Sequence, residues 1–241
     1  MNWLFVEKLN KRFGGLVAVR DFDMTVEERE IVGLIGPNGA GKTTVFNIIA
    51  CYYQPDSGRV IFQGKDLVGM KPFHVCKLGI ARTFQVTKPF INNTVLENVM
   101  VGAFIRTSNT RLAKKKALEI LEELDFLEQK DALGIELTTV DHKRLELARA
   151  LATDPKLLLL DEVMAGLTPA EKMSMLNLLR NIQKQGITLI VVEHDMKAVM
   201  NLCERIILMH RGEKLIEGPP SLVANNPRAI AAYLGEDYAT A

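Results

Sequence analysis

The fold of this chain of 241 residues is indicated first by one glycine-rich segment, which reads Gly36, Pro37, Asn38, Gly39, Ala40, Gly41, Lys42, Thr43, Thr44. The segment matches the pattern GxxxxGK[ST] and lies between a short apolar run and a helical pattern, as that motif requires. Its glycines allow tight turns that aim backbone N–H groups at phosphate oxygens, and the helix adds the positive end of its dipole. The complete match favours a phosphate-binding loop over an ordinary glycine turn.

An acidic pair supports this interpretation. Asp161 and Glu162 directly follow four leucines, an apolar run that is typical of a buried strand. Side chains at the carboxyl ends of such strands converge above the sheet, so the pair is expected beside the phosphate loop. Thr43 and Asp161 would hold Mg²⁺ there, while Lys42 would reach the terminal phosphates. Glu162 would polarise an attacking water, although an acidic turn that merely ends the strand is an alternative.

The composition argues against several other classes of protein. Lys and Arg number 30 and Asp and Glu number 29, so the net charge of +1 argues against a general polyanion-binding surface and against nucleic acid as a partner. Cys51, Cys76 and Cys203 form no CxxC pair, which suits a reducing compartment. The sequence has no apolar run near the roughly 18 residues of a membrane span, and its first residues lack the features of a signal peptide. A cytoplasmic location is expected.

Strand-like and helical patterns alternate along most of the chain, which predicts a mostly parallel sheet covered on both faces. The middle differs, because residues 94–153 show helical patterns and no convincing strand. We interpret this stretch as an inserted helical subdomain bounded near Gln85 and Asp154. Predicted strands lie at residues 3–9, 19–26, 30–35, 59–63, 80–84, 156–161, 187–192 and 205–209, and predicted helices outside the insertion at 41–51, 169–184 and 195–202.

The order of these segments resembles the ATP-binding cassette (ABC) ATPases. Besides the two motifs above, Gln85 and His194 each end a predicted strand, and Ala165-Gly166-Leu167-Thr168 follows the acidic pair. The resemblance covers nearly the whole chain. It implies an α/β fold of the P-loop NTPase (RecA-like) class, with an antiparallel β subdomain and an inserted α-helical subdomain. It also implies ATP and Mg²⁺ as cofactors, contacts of residues 36–44 with the nucleotide, and a head-to-tail dimer enclosing two ATP molecules.

The resemblance further implies one ABC ATPase domain over residues 1–241. Its nucleotide-binding core is expected at residues 1–85 and 155–220, its helical subdomain at 86–154 and a C-terminal helical tail at 221–241.

Three further positions take their expected roles from the family. Gln85 resembles the glutamine that senses Mg²⁺ and the attacking water, and it begins the connection to the helical subdomain. His194 resembles the switch histidine, which contacts the γ-phosphate and orients the water; a satisfied buried histidine is the alternative. Phe13 lies 23 positions before Gly36, where the family has an aromatic residue that stacks on adenine, and a core phenylalanine is the alternative.

One motif departs from the family pattern. The signature, typically LSGGQ, falls on Leu137-Thr138-Thr139-Val140-Asp141. Thr138 keeps a hydroxyl at the serine position, whereas Val140 replaces glycine and Asp141 replaces glutamine. The same residues can cap a helix, with Thr138 as N-cap and Asp141 in the first turn. We therefore expect Thr138 and this helix N-terminus to contact ATP bound to the other subunit, with Asp141 pointing away.

Several segments are similar to the larger-type ATPase subunit of importers for branched-chain (hydrophobic) amino acids. They are Phe13-Gly-Gly-Leu-Val-Ala-Val19, Gly41-Lys-Thr-Thr-Val-Phe-Asn47, Ala81-Arg-Thr-Phe-Gln85, Glu193-His-Asp-Met-Lys-Ala-Val-Met200 and Ala232-Tyr-Leu-Gly-Glu236. The resemblance implies a second ATPase subunit, as a homodimer or a heterodimer with a paralogue, and separate transmembrane permeases. A periplasmic or extracellular binding protein would be an indirect partner, and the chain would sit on the inner face of the membrane.

Other functions remain open at this point. Related subunits of lipid or lipopolysaccharide exporters share much of this sequence, and a weakly active regulatory ABC subunit is a second alternative because of Val140 and Asp141. Intact Glu162 and His194 argue against the latter. A soluble ABC protein of translation or DNA repair usually carries two cassettes or a long insertion, whereas this chain has one cassette.

Overall fold

The computed structural model describes residues 3–84 and 88–234. The strands in these ranges are β1 (Leu4–Phe13), β2 (Leu16–Val26), β3 (Ile31–Ile35), β4 (Ser57–Phe62), β5 (Lys65–Asp66), β6 (Ile80–Arg82), β7 (Leu157–Asp161), β8 (Thr188–Val192), β9 (Arg205–His210) and β10 (Glu213–Gly218). They form two sheets. One is antiparallel in the order β2-β1-β4-β5, and the other has six strands in the order β10-β9-β3-β8-β7-β6.

The six-stranded sheet is parallel except for its edge strand β10, which pairs antiparallel with β9. Every residue of β3, β7 and β8 is buried. Continuous apolar strands of this kind form the centre of a parallel sheet that is covered on both faces. The carboxyl ends of these central strands therefore meet at one edge of the sheet, where the phosphate loop begins.

Nine helices occur in the described residues. They are α1 (Lys42–Ile49), α2 (Pro72–Leu78), α3 (Val95–Ala103), α4 (Thr110–Glu123), α5 (Thr139–Leu151), α6 (Pro169–Lys184), α7 (Met196–Leu202), α8 (Pro220–Ala224) and α9 (Pro227–Leu234). Short 3₁₀ turns lie at Leu127–Gln129 and Gly134–Glu136. Capping boxes begin two of these helices, because Thr94 with Glu97 caps α3 and Thr168 with Glu171 caps α6.

Helices α3, α4 and α5 form the segment between β6 and β7. These two strands are parallel neighbours, with Ile80 opposite Leu157 and Arg82 opposite Leu159. The helical segment packs through buried apolar side chains such as Val99, Leu121 and Leu145. It therefore leaves the sheet from one strand and returns in the adjacent one, while the exact boundaries of the subdomains stay predictions.

Some elements differ from the sequence-based expectation. The predicted strand at residues 80–84 ends at Arg82, and β10 was not predicted. The sequence of β10 is Glu-Lys-Leu-Ile-Glu-Gly, and none of its residues is fully buried. Such a half-exposed edge strand lacks the apolar run that marks the central strands. Helix α2 was also missed, although it carries proline at its first helical position.

Candidate nucleotide-binding site

The phosphate loop joins the end of β3 to the start of α1, and two of its glycines are required by the space around them. Gly36 has φ +150°, and a Cβ there would lie 2.2 Å from the carbonyl oxygen of Met209. Gly41 has φ +104°, and a Cβ would lie 2.4 Å from the carbonyl oxygen of Ala18. The loop therefore packs backbone against backbone in a conformation that side chains rarely adopt.

The N-terminus of α1 is open. Its N-cap, Gly41, makes no side-chain capping hydrogen bond, and the first turn contains no acidic residue. Since the first N–H groups of a helix have no partner within the helix, these donors and the positive dipole end are available to an anion. The backbone geometry of this helix N-terminus therefore suits a phosphate group.

Lys42 points back onto this loop. Its Nζ donates to the carbonyl oxygens of Gly36 at 2.8 Å and Pro37 at 3.0 Å. Burial lowers the pKa of Lys42, and the carboxylates of Glu162 and Asp161 oppose that shift. The ammonium group of Lys42 is thus held beside the loop, and an anionic ligand bound there can compete with the two carbonyl oxygens for it.

Asp161 ends β7 and is buried at 1% exposure. Its Oδ2 accepts a hydrogen bond from Arg82 Nη2 at 2.9 Å, whereas its Oδ1 is buried without a hydrogen-bond partner among the described residues. Burial raises the pKa of Asp161, and Arg82 opposes the shift. Thr43 lines the same cavity of about 680 Å³. An unpaired carboxylate oxygen in a cavity that a threonine also lines suits the hard oxygen coordination that Mg²⁺ prefers.

Glu162 and His194 lie at the ends of neighbouring strands and contact each other directly. The distance from His194 Nε2 to Glu162 Oε1 is 2.7 Å. Glu162 itself has φ +52°, which is unusual for a residue with a side chain. Two hydrogen bonds hold its backbone, from its N–H to Val192 O at 2.9 Å and from Lys143 Nζ to its carbonyl oxygen at 3.0 Å. The structure therefore brings the acid and the histidine together at this end of the sheet.

Phe13 ends β1, and the residue is 42% exposed. Its centroid lies 5.3 Å from that of Tyr53, in an edge-to-face arrangement, and Lys11 Nζ lies 5.4 Å from the Phe13 centroid. The alternative of a core phenylalanine is therefore wrong. An exposed aromatic face of this kind can stack on a planar base.

Thr138 makes a closed capping box at the start of α5. Its hydroxyl donates to Asp141 Oδ2 at 2.6 Å and accepts from the N–H of Asp141 at 3.2 Å. The hydrogen bonds shown for Thr138 all lie within its own helix, so the structure does not bring it to the phosphate loop of the same chain. Asp141 turns back onto the helix as a cap, in the way the sequence suggested. Gln85 lies outside the described residues.

Several residues at the site were not predicted. Arg82 pairs with Asp161, and its only sequence signal is its place three positions before Gln85. The buried Glu193 accepts from the N–H of Met164 at 2.8 Å, and burial raises its pKa to about 7. The hydroxyl of Tyr233 in α9 is buried without a hydrogen-bond partner among the described residues, and burial raises the pKa of this phenol to about 12.

Taken together, a strand, a glycine loop and an open helix N-terminus, with two adjacent acids at the end of β7, define a P-loop nucleotide-binding protein. Sequence comparison narrows this class: the chain matches the ABC transporter family over residues 19–165. Residues 213–239 match a second family, the branched-chain amino acid ATP-binding cassette transporter. The chain therefore belongs to the ABC transporter ATP-binding family, which confirms the resemblance noted in the sequence.

Curated relatives match along the whole chain. The high-affinity branched-chain amino acid transport ATP-binding protein LivG of Salmonella typhimurium is 39% identical, with 97% of this chain and 98% of LivG covered. The lipopolysaccharide export system ATP-binding protein LptB of Haemophilus influenzae is 33% identical, with 99% of each chain covered.

Solved structures confirm the predicted fold class. The ADP conformation of the ATP-binding cassette MJ1267 superposes with a TM-score of 0.89 at 31% identity, covering 98% of this chain and all of that chain. The dimeric cassette MJ0796 gives a TM-score of 0.82 at 26% identity, covering 90% and 98% of the two chains. This chain is thus an ATP-binding and ATP-hydrolysing cassette. Within its described residues, no helix has the length and apolar character needed to cross a bilayer.

Proposed function

We propose that this chain is the ATPase subunit of an importer for branched-chain or other hydrophobic amino acids, and that it works on the inner face of the cell membrane. The observation that carries the proposal is the match of residues 213–239 to the branched-chain ABC family, beyond the general ABC match. The higher identity to LivG than to LptB supports it. The amino acid would cross through separate permease chains after delivery by a periplasmic or extracellular binding protein.

In this proposal, residues 36–44 enclose the phosphates of ATP and Phe13 stacks on the adenine. Lys42 would exchange the carbonyl oxygens of Gly36 and Pro37 for phosphate oxygens, which carry a full negative charge. Thr43, Asp161 and Gln85 would hold Mg²⁺ through oxygen atoms. The bound ion would neutralise charge that builds up on the phosphates during transfer.

Glu162 and His194 are proposed to act on the attacking water. In the structure their side chains are hydrogen-bonded to each other at 2.7 Å. A water molecule bound by one of them would therefore lie within reach of the other. Glu162 would accept a proton from water while His194 turns to the γ-phosphate and orients that water. The strained backbone of Glu162, fixed by Val192 and Lys143, places the carboxylate at the sheet edge.

Two ATPase subunits would enclose the nucleotides, with Thr138 and the N-terminus of α5 reaching the ATP of the partner. ATP-dependent dimerisation of the Glu162→Gln variant tests this, because the substitution stops water activation and leaves the loop intact. A dimer seen by size-exclusion chromatography only with ATP supports two working signatures. A protein that binds ATP and stays monomeric shows that a paralogue or the permeases must join the two halves.

The permeases would dock in the cavity beside the helical segment. Its lining includes the exposed apolar side chains of Tyr52, Phe84 and Val101, and it extends to Thr43 and Asp161 at the nucleotide site. Exposed apolar side chains that line a groove suit the apolar face of a short amphipathic helix. Movement of the cassettes on ATP binding would thus reach the transport path.

Uptake measurements test the transport role. Deletion of this chain from its own organism is expected to abolish high-affinity uptake of radiolabelled leucine, and the wild-type chain should restore it. The Glu162→Gln variant, expressed at the same level and still binding ATP, should not. Unchanged leucine uptake together with loss of lipopolysaccharide export would refute the proposal and favour the export alternative.

A further inference from the structure

A buried arginine is bonded to the carboxylate that the proposed function assigns to Mg²⁺. Arg82 is the last residue of β6, beside β7 in the sheet, and its side chain is 8% exposed. Its Nη2 donates to Asp161 Oδ2 at 2.9 Å. Both side chains are shielded from water, where an unpaired charge is unfavourable. The guanidinium group of Arg82 and the carboxylate of Asp161 therefore neutralise each other.

The guanidinium group has other partners that do not depend on Asp161. Its Nη1 donates to Asn47 Oδ1 at 2.5 Å and its Nε donates to the carbonyl oxygen of Thr83 at 3.2 Å. The Cζ atom lies 5.1 Å from the ring centroid of Phe84 and 5.9 Å from that of Tyr52. Arg82 can therefore release Asp161 and still be held by two oxygen atoms and two aromatic faces.

Asp161 is engaged by Arg82 through one oxygen only. Its Oδ1 is the atom that has no hydrogen-bond partner among the described residues, and Thr43 lines the same cavity. A metal ion bound by this carboxylate would lie close to the guanidinium group. Two positive charges that share one carboxylate repel each other strongly where water is excluded.

We propose that Arg82 is a built-in substitute for Mg²⁺ at Asp161. While the site holds no nucleotide, Arg82 neutralises the buried carboxylate; when the nucleotide arrives with Mg²⁺, the two cations compete for it. Arg82 is then a positioning residue that sets how much Mg²⁺ is needed for nucleotide binding. The inference rests on the metal role of Asp161 in the proposed function.

A Mg²⁺ titration tests the competition. Binding of a fluorescent ATP analogue (mant-ATP) is followed as Mg²⁺ is raised, in the full chain carrying Glu162→Gln to prevent hydrolysis. Adding Arg82→Gln is expected to lower the Mg²⁺ midpoint by about tenfold, because a like charge beside the ion is removed. The affinity for mant-ATP in EDTA should stay within about twofold, which a general structural defect would not allow. An unchanged or raised Mg²⁺ midpoint would overturn the proposal.

Matched variants separate charge from packing. Arg149 lines the same cavity, donates to the carbonyl oxygen of Lys88 and lies over Phe90, so Arg149→Gln should leave the Mg²⁺ midpoint unchanged. Arg82→Lys keeps the positive charge and should keep the midpoint near that of the parent. If Arg82→Gln does not fold, Arg82→Lys decides alone, because a tenfold lower midpoint with the charge retained would contradict competition.

A variant of the carboxylate separates this inference from the proposed function. Asp161→Asn should raise the Mg²⁺ midpoint at least tenfold, because the carboxylate that binds the cation is lost. If it leaves the midpoint unchanged, the metal role of Asp161 fails, and this inference fails with it. If Asp161→Asn raises the midpoint and Arg82→Gln does not lower it, only the substitution of Arg82 for Mg²⁺ is refuted.

Discussion

Helices α1 and α5 both begin at positions where the sequence suggests contact with ATP, yet the two N-termini are built in opposite ways. Helix α1 starts at Gly41 with no capping side chain and no acid in its first turn. Helix α5 starts at Thr138, whose hydroxyl and backbone N–H both bond to Asp141. Since unpaired N–H groups at a helix start need a partner, α1 leaves them for a ligand, whereas α5 satisfies one with its own side chain.

The two helix starts also differ in how strained their backbone conformations are. The α1 loop depends on glycines in conformations that other residues avoid, and a Cβ at Gly41 would collide with the backbone of Ala18. The start of α5 is an ordinary capping box, like those formed by Thr94 in α3 and Thr168 in α6. A helix N-terminus is therefore available to phosphate where no side chain caps it, as in α1. Contact of Thr138 with ATP requires the hydrogen bonds between Thr138 and Asp141 to break.

The largest effect is expected at the open end. Lys42→Ala should lower ATP turnover by about 100-fold or more, because the charge aimed at the phosphates is lost. Phosphate release and mant-ATP binding measure this, and Lys115→Ala, at a solvent-exposed lysine of α4, serves as the control. Turnover within tenfold of wild type would show that the open helix end alone binds the phosphates.

The glycines of the same loop give the next effect. Gly41→Ala should lower the free energy of unfolding by about 3 kcal/mol, through the positive φ and the collision with Ala18, and abolish mant-ATP binding. Gly39→Ala is the matched control, because Gly39 has φ +79° but nothing within 4 Å of a Cβ; it should cost only about 1 kcal/mol. Urea unfolding compares the two, and equal losses would show that crowding at Gly41 is unimportant.

The third prediction compares the N-cap of α5 with the N-cap of α6. Thr138→Ala and Thr168→Ala should each lower the free energy of unfolding by about 1 kcal/mol, because each removes an N-cap acceptor. Only Thr138→Ala should also weaken the ATP-dependent dimerisation of Glu162→Gln. Dimerisation equally strong in both variants would mean that Thr138 caps its helix and does nothing at the partner's ATP.

The smallest effect concerns Asp141. Asp141→Asn should lower the free energy of unfolding by about 0.5 kcal/mol, since an uncharged group interacts less well with the helix dipole. It should also strengthen ATP-dependent dimerisation by about threefold, because in the proposed dimer the start of α5 would then carry no negative charge toward the partner's γ-phosphate. Sedimentation of the Glu162→Gln dimer measures this, with Glu171→Gln in α6 as the matched control. Weaker dimerisation would show that the capping box itself is needed at the interface.

The same two regions explain what the sequence could and could not predict. The phosphate loop and the acids at the end of β7 follow from local spacing, because adjacent backbone groups determine that geometry. The cap at Thr138 is local as well, and it was anticipated. The bond between Arg82 and Asp161 depends on β6 becoming the neighbour of β7, a pairing between residues 79 positions apart. No local pattern reports such a contact, so the positive charge beside Asp161 is visible only in the three-dimensional structure.

The helical segment between β6 and β7 has an evolutionary consequence. It leaves the sheet at its edge strand and returns in the neighbouring strand, so its two ends lie side by side. Insertions, deletions or new surface residues between them leave the order of the other strands unchanged. Natural selection can therefore change these helices to fit a new membrane partner at one rate. The carboxyl ends of the central strands, where the phosphate loop lies, can diverge at a different rate. One ancestral cassette could in this way be fitted to many transporters.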